Sequence, residues 1–334
     1  MNITKPSYYD AFHCMAGDCP DTCCGGWQVV IDQDSEAFYR QVEGELGQAL
    51  RHAMVQVDGQ TCFDLNEENH CVLLTDQGLC PIQAQLGEAH LCTICGSYPR
   101  FSTEIGGRRW IGISLSCPEA ARLIMQTPTT LLHIETSEPI RDYNDIPPER
   151  VLTAQRLMEE ALALLNQPYA LVRLLRLCAP VAKPLRPKDL PRALEAGLAA
   201  AGKPIVPTTA DLEHFFSKLR QCLSQLEPLN HQWHERLCRV SAHSVTEYAL
   251  ARYAVYKYFP RAAFDGSFWV TGVFAALFPI LLQAQAGEDA LKTAWSLSRE
   301  IEHSEENMHA MLEGLSRRPF RPKALERVFS ALSM

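Results

Sequence analysis

The sequence lacks the marks of three common classes of protein: secreted, membrane-spanning and nucleic-acid-binding. No basic segment followed by an apolar segment opens the chain, so we expect no signal peptide. The longest apolar run, Phe268 to Leu282, contains Gly272 and Pro279 and is shorter than the roughly 20 residues of a membrane-spanning helix. The formal net charge is −8, whereas phosphate backbones are bound by clustered Lys and Arg. The sequence therefore predicts a cytoplasmic protein with no membrane or nucleic-acid partner.

Two cofactor motifs are missing as well. No glycine-rich turn lies between a predicted strand and a predicted helix, which excludes a Rossmann-type loop for a dinucleotide or S-adenosylmethionine (SAM). The Cys-x3-Cys-x2-Cys pattern of radical enzymes that cleave SAM is also absent, because Cys19-x3-Cys23 is followed directly by Cys24. The sequence therefore does not support radical chemistry of that class.

Cysteine, by contrast, is abundant and unevenly placed. Ten of the thirteen cysteines lie between Cys14 and Cys117. The odd count and the missing signal peptide argue against a disulfide framework, and cysteines in a reducing compartment more often serve metal or redox chemistry. The other three, Cys178, Cys222 and Cys238, lie in helical sequence and are expected to be core residues.

Nine cysteines in four groups are predicted to bind metal. Three of them, Cys19, Cys80 and Cys117, precede a proline, an arrangement that recurs in bacterial ferredoxins. Spacing alone does not separate iron–sulfur from zinc, because histidines beside the cysteines would suit mixed zinc sites. The predicted metal ligands are Cys14, Cys19, Cys23, Cys24, Cys71, Cys80, Cys92, Cys95 and Cys117, and the neighbouring histidines are His13, His70 and His90.

Sequence patterns predict a mainly α protein of two parts. Residues 1–126 are turn-rich and predict an irregular cysteine-rich, metal-binding domain with short strands near Trp27–Ile31 and Trp110–Leu115. One helix is predicted there from Asp34 or Ser35 to about Val57, and another is predicted to start after Pro118. Residues 127–334 predict an all-helical domain that binds a substrate or partner, with helical periodicity strongest over residues 211–332.

Several sequence blocks resemble the flagellin lysine-N-methylases. The blocks are FHCMAGDCPDTCCGGWQVVID, LCPIQAQLGEAHLCTICGSYPR and LSCPEAARLIM, followed by the sparser EYALARYAVYKYFPRA and SREIEHSEENM. The resemblance implies a SAM-dependent enzyme that methylates lysine side chains of flagellin and requires a 4Fe–4S cluster. It implies the same nine cysteines as ligands, whereas Cys62 lies outside the matching blocks.

Methyl transfer to lysine sets a demand on the site. The amine must be neutral, yet its pKa is near 10.4 in water, so a base, a hydrogen-bond acceptor or desolvation is needed. Asp21 and Glu88 are further acidic candidates near the cysteines. Any single carboxylate near the cysteine blocks is more often a surface group or a helix cap. We predict Tyr98, Glu104 and Glu119 as catalytic candidates, and Arg100 and Arg109 as ligands of the SAM carboxylate.

Glu302 and His303 form an acid–base pair in the C-terminal half, for which a solvated helix face is the simpler interpretation. Two other classes of function stay open at this point. One is a zinc- or iron-binding module that holds a partner protein without catalysis. The other is an iron–sulfur redox protein.

Overall fold

A computed structural model describes residues 2–137, 145–240, 248–283 and 289–333. Six strands lie in these residues: β1 (Asn2–Pro6), β2 (Met54–Val57), β3 (Gln60–Phe63), β4 (Arg100–Ile105), β5 (Arg108–Ile113) and β6 (Leu131–Glu135). The same residues contain fifteen α-helices: α1 (Gln33–Gln41), α2 (Gly44–Ala53), α3 (Pro81–Leu86), α4 (Thr93–Ser97), α5 (Pro118–Gln126), α6 (Pro148–Leu164), α7 (Ala170–Cys178), α8 (Leu190–Gly202), α9 (Leu212–Leu223), α10 (His231–Leu237), α11 (Ala249–Tyr258), α12 (Phe268–Gln283), α13 (Ala290–Glu302), α14 (Glu305–Ser316) and α15 (Pro322–Leu332).

The fold is mainly helical with a few short strands, as the sequence predicts. The expectation that residues 127–334 are all-helical is wrong at β6. This strand pairs antiparallel with β1, and Ile134 lies opposite Ile3. The edge of β1 carries backbone N–H and C=O groups that need partners, and β6 supplies them. The division of the chain at residue 126 stays a prediction.

The larger sheet has the strand order β4-β5-β1-β6. β4 and β5 form a hairpin whose turn residues, Gly106 and Gly107, both have positive φ, a conformation that glycine adopts without steric cost. β1 lies parallel to β5 on the other side. From the end of β5 the chain runs through residues 114–117 into α5, so the sheet fixes the position of Cys117.

Local predictions in the N-terminal part hold only partly. The single helix expected to about Val57 is two helices, α1 and α2, and Asp32 caps the first by accepting a hydrogen bond from the Ser35 N–H at 3.0 Å. The strand expected near Trp110 is β5. The segment near Trp27 forms only an isolated bridge between Val30 and Cys62.

The segment predicted to be most strongly helical, residues 211–332, contains α9 to α15. Residues 241–247 and 284–288 of it lie outside the described residues. The apolar run at Phe268 forms the buried helix α12, as predicted. Among the described residues, no helix is both long and apolar enough to cross a membrane.

Two separate apolar cores hold the chain together. The larger core joins the four-stranded sheet to the helices from α5 onward. The smaller core lies within residues 29–92 and includes Tyr39, Leu50 and Phe63, all of which are buried. The cysteines lie where these two cores approach each other.

Candidate functional site

One cavity of about 660 Å³ is lined by all nine cysteines predicted as metal ligands. Aromatic residues of both cores complete its wall, among them Phe12, Trp27, Tyr39 and Tyr98. Cys62 is buried in β3 and is not among the lining residues. Because the cavity has the size of a small-molecule site, it has room for more than a single metal ion.

Three of the cysteines stand directly before helices. Cys80, Cys92 and Cys117 precede α3, α4 and α5, so backbone N–H groups in the first turn of each helix lie near the cysteine sulfur. These N–H groups have no partner inside their helix and favour the thiolate form of the cysteine. The prolines after Cys80 and Cys117 fit the first helical position, where an N–H is not needed.

Burial acts in the opposite direction on several thiols. It raises the pKa of Cys71 and of Cys117 to about 11, against the backbone N–H groups that favour their thiolates. It also raises the pKa of Cys19. Without a metal these thiols are protonated at neutral pH, so a metal ion must displace protons to bind them.

Two pairs of cysteines contact each other along the cavity wall. Cys23 and Cys24 share a hydrogen bond that raises the pKa of Cys23 and lowers that of Cys24. The hydrogen bond between Cys92 and Cys95 likewise lowers the pKa of Cys92 and raises that of Cys95. The two thiols of each pair therefore lie next to each other.

The thiols surround a space rather than a single point. Among the described residues, no three His, Cys, Asp or Glu side chains already form a metal-binding group. The donor set is nonetheless sulfur-rich, and sulfur donors select iron–sulfur clusters or zinc. Its chemistry therefore fits a cluster, which spans more space than one ion does.

A pair of glycines brings the first cysteine loop against the second. The Cys71 N–H donates to the Cys24 carbonyl at 2.7 Å, and the Gly26 N–H donates to the Asn69 carbonyl at 2.8 Å. A Cβ atom at Gly25 would lie 2.3 Å from the His70 ring, and Gly26 has a φ of 83°. A larger residue at Gly25 would push the two loops apart, and a larger residue at Gly26 would strain the backbone.

Three of the predicted non-cysteine residues line the cavity: Tyr98, Arg100 and Glu119. The Tyr98 hydroxyl lies 3.0 Å from Ser116 Oγ, and burial raises the pKa of Tyr98, so the phenol is neutral at pH 7. The Arg100 guanidinium lies over the Phe12 ring, 5.1 Å from its centre. The Glu119 carboxylate forms an ion pair with the Arg122 guanidinium at 2.6 Å.

The structure does not bring the other two predicted residues to the cavity. Glu104 on β4 and Arg109 on β5 pair with each other across the hairpin at 2.7 Å and are not among the lining residues. Opposite charges on paired strands stabilise the hairpin, which explains both residues without a functional role.

Glu302 and His303 do not lie on a solvated helix face, so that interpretation is wrong. Glu302 accepts hydrogen bonds from Lys257 and Tyr253, each at 3.0 Å, and from the Ser298 and Tyr258 hydroxyls. The His303 ring packs 5.3 Å from the Trp27 ring, behind the cavity wall. Burial lowers the pKa of His303 to about 4.

A chain of hydroxyl groups links the cavity wall to this buried carboxylate. Tyr98 contacts Ser116 at 3.0 Å, Ser116 donates to Ser114 at 3.1 Å, and Ser114 lies 3.4 Å from the Tyr253 hydroxyl. Tyr253 then donates to Glu302. Nothing in the sequence marks these serines, because the link joins segments about 140 residues apart that only the tertiary fold brings together.

Comparison with known proteins finds distant relatives over part of the chain. The chain is 25% identical over 145 residues to the flagellar biosynthetic protein FliU of Salmonella muenchen, covering 39% of this chain and 81% of FliU. It is 24% identical over 161 residues to proteins named lysine-N-methylase from Salmonella typhimurium and Salmonella choleraesuis. That match covers 44% of this chain but only 38% of each lysine-N-methylase. No known family profile and no solved structure matches the chain.

Proposed function

We propose that the protein is a SAM-dependent protein-lysine N-methyltransferase that acts on flagellin and holds a 4Fe–4S cluster in the cysteine cavity. The observation that carries the proposal is that all nine predicted ligands line one cavity. The names of the distant relatives, lysine-N-methylase and flagellar biosynthetic protein, support the reaction and the flagellar substrate.

The nine thiols are the pool from which the cluster takes its ligands, because one 4Fe–4S cluster binds four cysteines, or three if one iron is left open for SAM. When bound, the cluster supplies a Lewis-acidic iron that can hold the amino and carboxylate groups of SAM. Arg100 lines the same cavity and is the proposed partner of the SAM carboxylate. No role is proposed for Arg109 or Glu104, since the two are paired with each other outside the cavity lining.

The lysine amine must reach the methyl group without its proton. We assign Tyr98 and Glu119 to hold the amine at the cavity wall, since both line the cavity and offer an oxygen acceptor. The aromatic wall of Trp27 and Tyr98 excludes water, which disfavours the charged ammonium form of the lysine. The nitrogen lone pair then attacks the methyl carbon as the bond from carbon to sulfur breaks in line.

The direct test is transfer of a radiolabelled methyl group from SAM to purified flagellin, with protein prepared without oxygen. We expect label on flagellin lysines with the wild type and none with Cys92→Ser. Cys62→Ser is the matched control, because Cys62 and Cys92 are almost equally buried but only Cys92 lines the cavity. A cluster-loaded protein that labels no flagellin lysine would overturn the proposed reaction.

A further inference from the structure

One arginine of α13 contacts both ends of the cysteine constellation. Arg299 Nη1 donates to Asp21 Oδ2 at 2.9 Å, and Arg299 Nε donates to the Ser116 carbonyl at 3.0 Å. Asp21 lies in the loop that carries Cys19, Cys23 and Cys24, and Ser116 directly precedes Cys117. A single guanidinium therefore joins two ligand-bearing loops that are far apart in sequence.

Trp295 reinforces the same attachment one turn earlier on α13. Its indole N–H donates to Asp21 Oδ2 at 3.0 Å, so one carboxylate oxygen receives both helix side chains. The Arg299 and Asp21 side chains are 17% and 33% exposed, which shields their ion pair from much of the solvent. The first cysteine loop thus rests on α13, in the helical half of the molecule.

The third nitrogen of the Arg299 guanidinium lacks a hydrogen-bond acceptor within the described residues. Arg299 Nη2 is buried and makes no hydrogen bond within the described part of the chain. A buried donor without an acceptor is costly, and more so when it is charged. The ion-pair partner of Arg299, Asp21, is one of the residues that line the cysteine cavity. A negatively charged metal centre in that cavity would offset part of the cost of this buried positive charge.

We propose that Arg299 is a positioning residue of the metal centre. It fixes the loops of Cys23 and Cys117 against α13, and it places a positive charge beside the cysteine cavity. The inference rests on the proposed function only in taking the cysteines as ligands of a metal centre. Since a nearby cation favours the more negatively charged, reduced state of a cluster, Arg299 also raises the reduction potential of the centre.

Arg176 offers a matched control on the far side of the helical half. It pairs with Glu326 at 2.7 Å and donates to the Lys203 carbonyl at 3.0 Å, so it too bridges a carboxylate and a backbone carbonyl. Its side chain is 15% exposed, close to the value for Arg299. Its partners Glu326, Lys203 and Pro204 lie outside the cysteine-bearing loops, whereas Arg299 contacts two of these loops.

The experiment compares wild type, Arg299→Met, Arg299→Lys and Arg176→Met, all purified without oxygen. The readouts are iron and zinc per chain, the rate of metal release to a chelator, the thermal midpoint, and the reduction potential followed by electron paramagnetic resonance. We expect Arg299→Met to hold metal about 10–100-fold less tightly, the usual effect of losing an outer-shell partner, and to have a lower potential. Arg299→Lys should restore the potential, because it keeps the charge, but only part of the metal retention.

Arg176→Met should lower the thermal midpoint without changing the metal or the potential. The proposal would be overturned if Arg299→Met left both the rate of metal release and the reduction potential unchanged. It would also be overturned if Arg176→Met lost as much metal as Arg299→Met. If Arg299→Met does not fold, wild-type metal retention in Arg299→Lys would also overturn it. If the wild type holds zinc and no iron, the cluster in the proposed function fails, while zinc release still decides the role of Arg299.

Discussion

At the scale of single residues, the stability of the protein depends on the buried ion pair between Lys257 and Glu302. Their side chains are 10% and 2% exposed. We predict that Glu302→Gln lowers the free energy of unfolding by about 3–5 kcal/mol, because it leaves a buried ammonium without its counter-charge. The measurement is denaturant unfolding. The double variant Lys257→Met/Glu302→Leu should recover most of the loss, and a double variant as unstable as the single one would contradict this explanation.

His303 makes the stability of the protein depend on pH. Burial lowers its pKa to about 4 in the folded protein, from an ordinary value of 6.5. Between these two pH values the unfolded chain binds a proton at this histidine and the folded protein does not. Wild type should therefore lose roughly 3 kcal/mol of stability as the pH falls from about 6.5 to about 4. His303→Phe keeps an aromatic ring against Trp27 and should reduce this loss, measured by unfolding at several pH values.

The exposed His309 supplies the control for that series. His309→Phe should leave the slope of stability against pH in this window as it is in the wild type. A slope that His303→Phe also leaves unchanged would show that another group causes the acid sensitivity.

At the scale of elements, the close packing of two helices gives a further prediction. α8 approaches α7 so closely that a Cβ atom at Gly197 would lie 2.2 Å from the Leu177 carbonyl oxygen. Gly197→Ala should lower the free energy of unfolding by about 1–3 kcal/mol, because backbone atoms cannot move aside as a side chain can. Gly202 ends the same helix with open space around it, and Gly202→Ala should be neutral or slightly stabilising. Equal effects in thermal unfolding of the two variants would contradict this packing.

Elements that depend on local sequence are the ones that sequence patterns predict. The helical periodicity of the C-terminal half and the buried apolar helix α12 are local properties, and both predictions are confirmed. β1 and β6 are short and pair across more than 120 residues, so no local sequence pattern predicts their pairing. The interruption between α1 and α2 does have a local signal in Gly44, which begins α2 and has a positive φ.

At the scale of the whole molecule, cysteine spacing predicts a ligand set, and the structure places all nine members on one cavity. Cysteine spacing cannot predict which residues from the rest of the chain lie beside the cysteines. Trp295, Arg299 and Glu302 lie on α13, more than 170 residues after Cys117, the last predicted ligand, and Tyr253 of the hydroxyl chain lies on α11. Ordinary helical sequence carries these residues, so only the docking of the two halves shows their relation to the cysteines.

Metal uptake should be sensitive to pH because buried thiols must give up protons. Since burial raises the pKa of Cys71 and Cys117 to about 11, both are protonated in the metal-free protein at neutral pH. We predict that the apparent affinity for Co²⁺, used as a probe, rises steadily from about pH 7 to about pH 9, because each pH unit lowers the cost of deprotonation. Affinity that does not change over this range would show that the bound ion is not held by these thiols.

The metal and sulfide content of protein purified without oxygen, together with its visible spectrum, tests the central claim most directly. We predict iron and sulfide at about four each per chain and the broad visible absorption of a thiolate-bound cluster. Both should be lost in Cys92→Ser and kept in Cys62→Ser. A colourless protein that holds zinc without iron or sulfide would contradict the account.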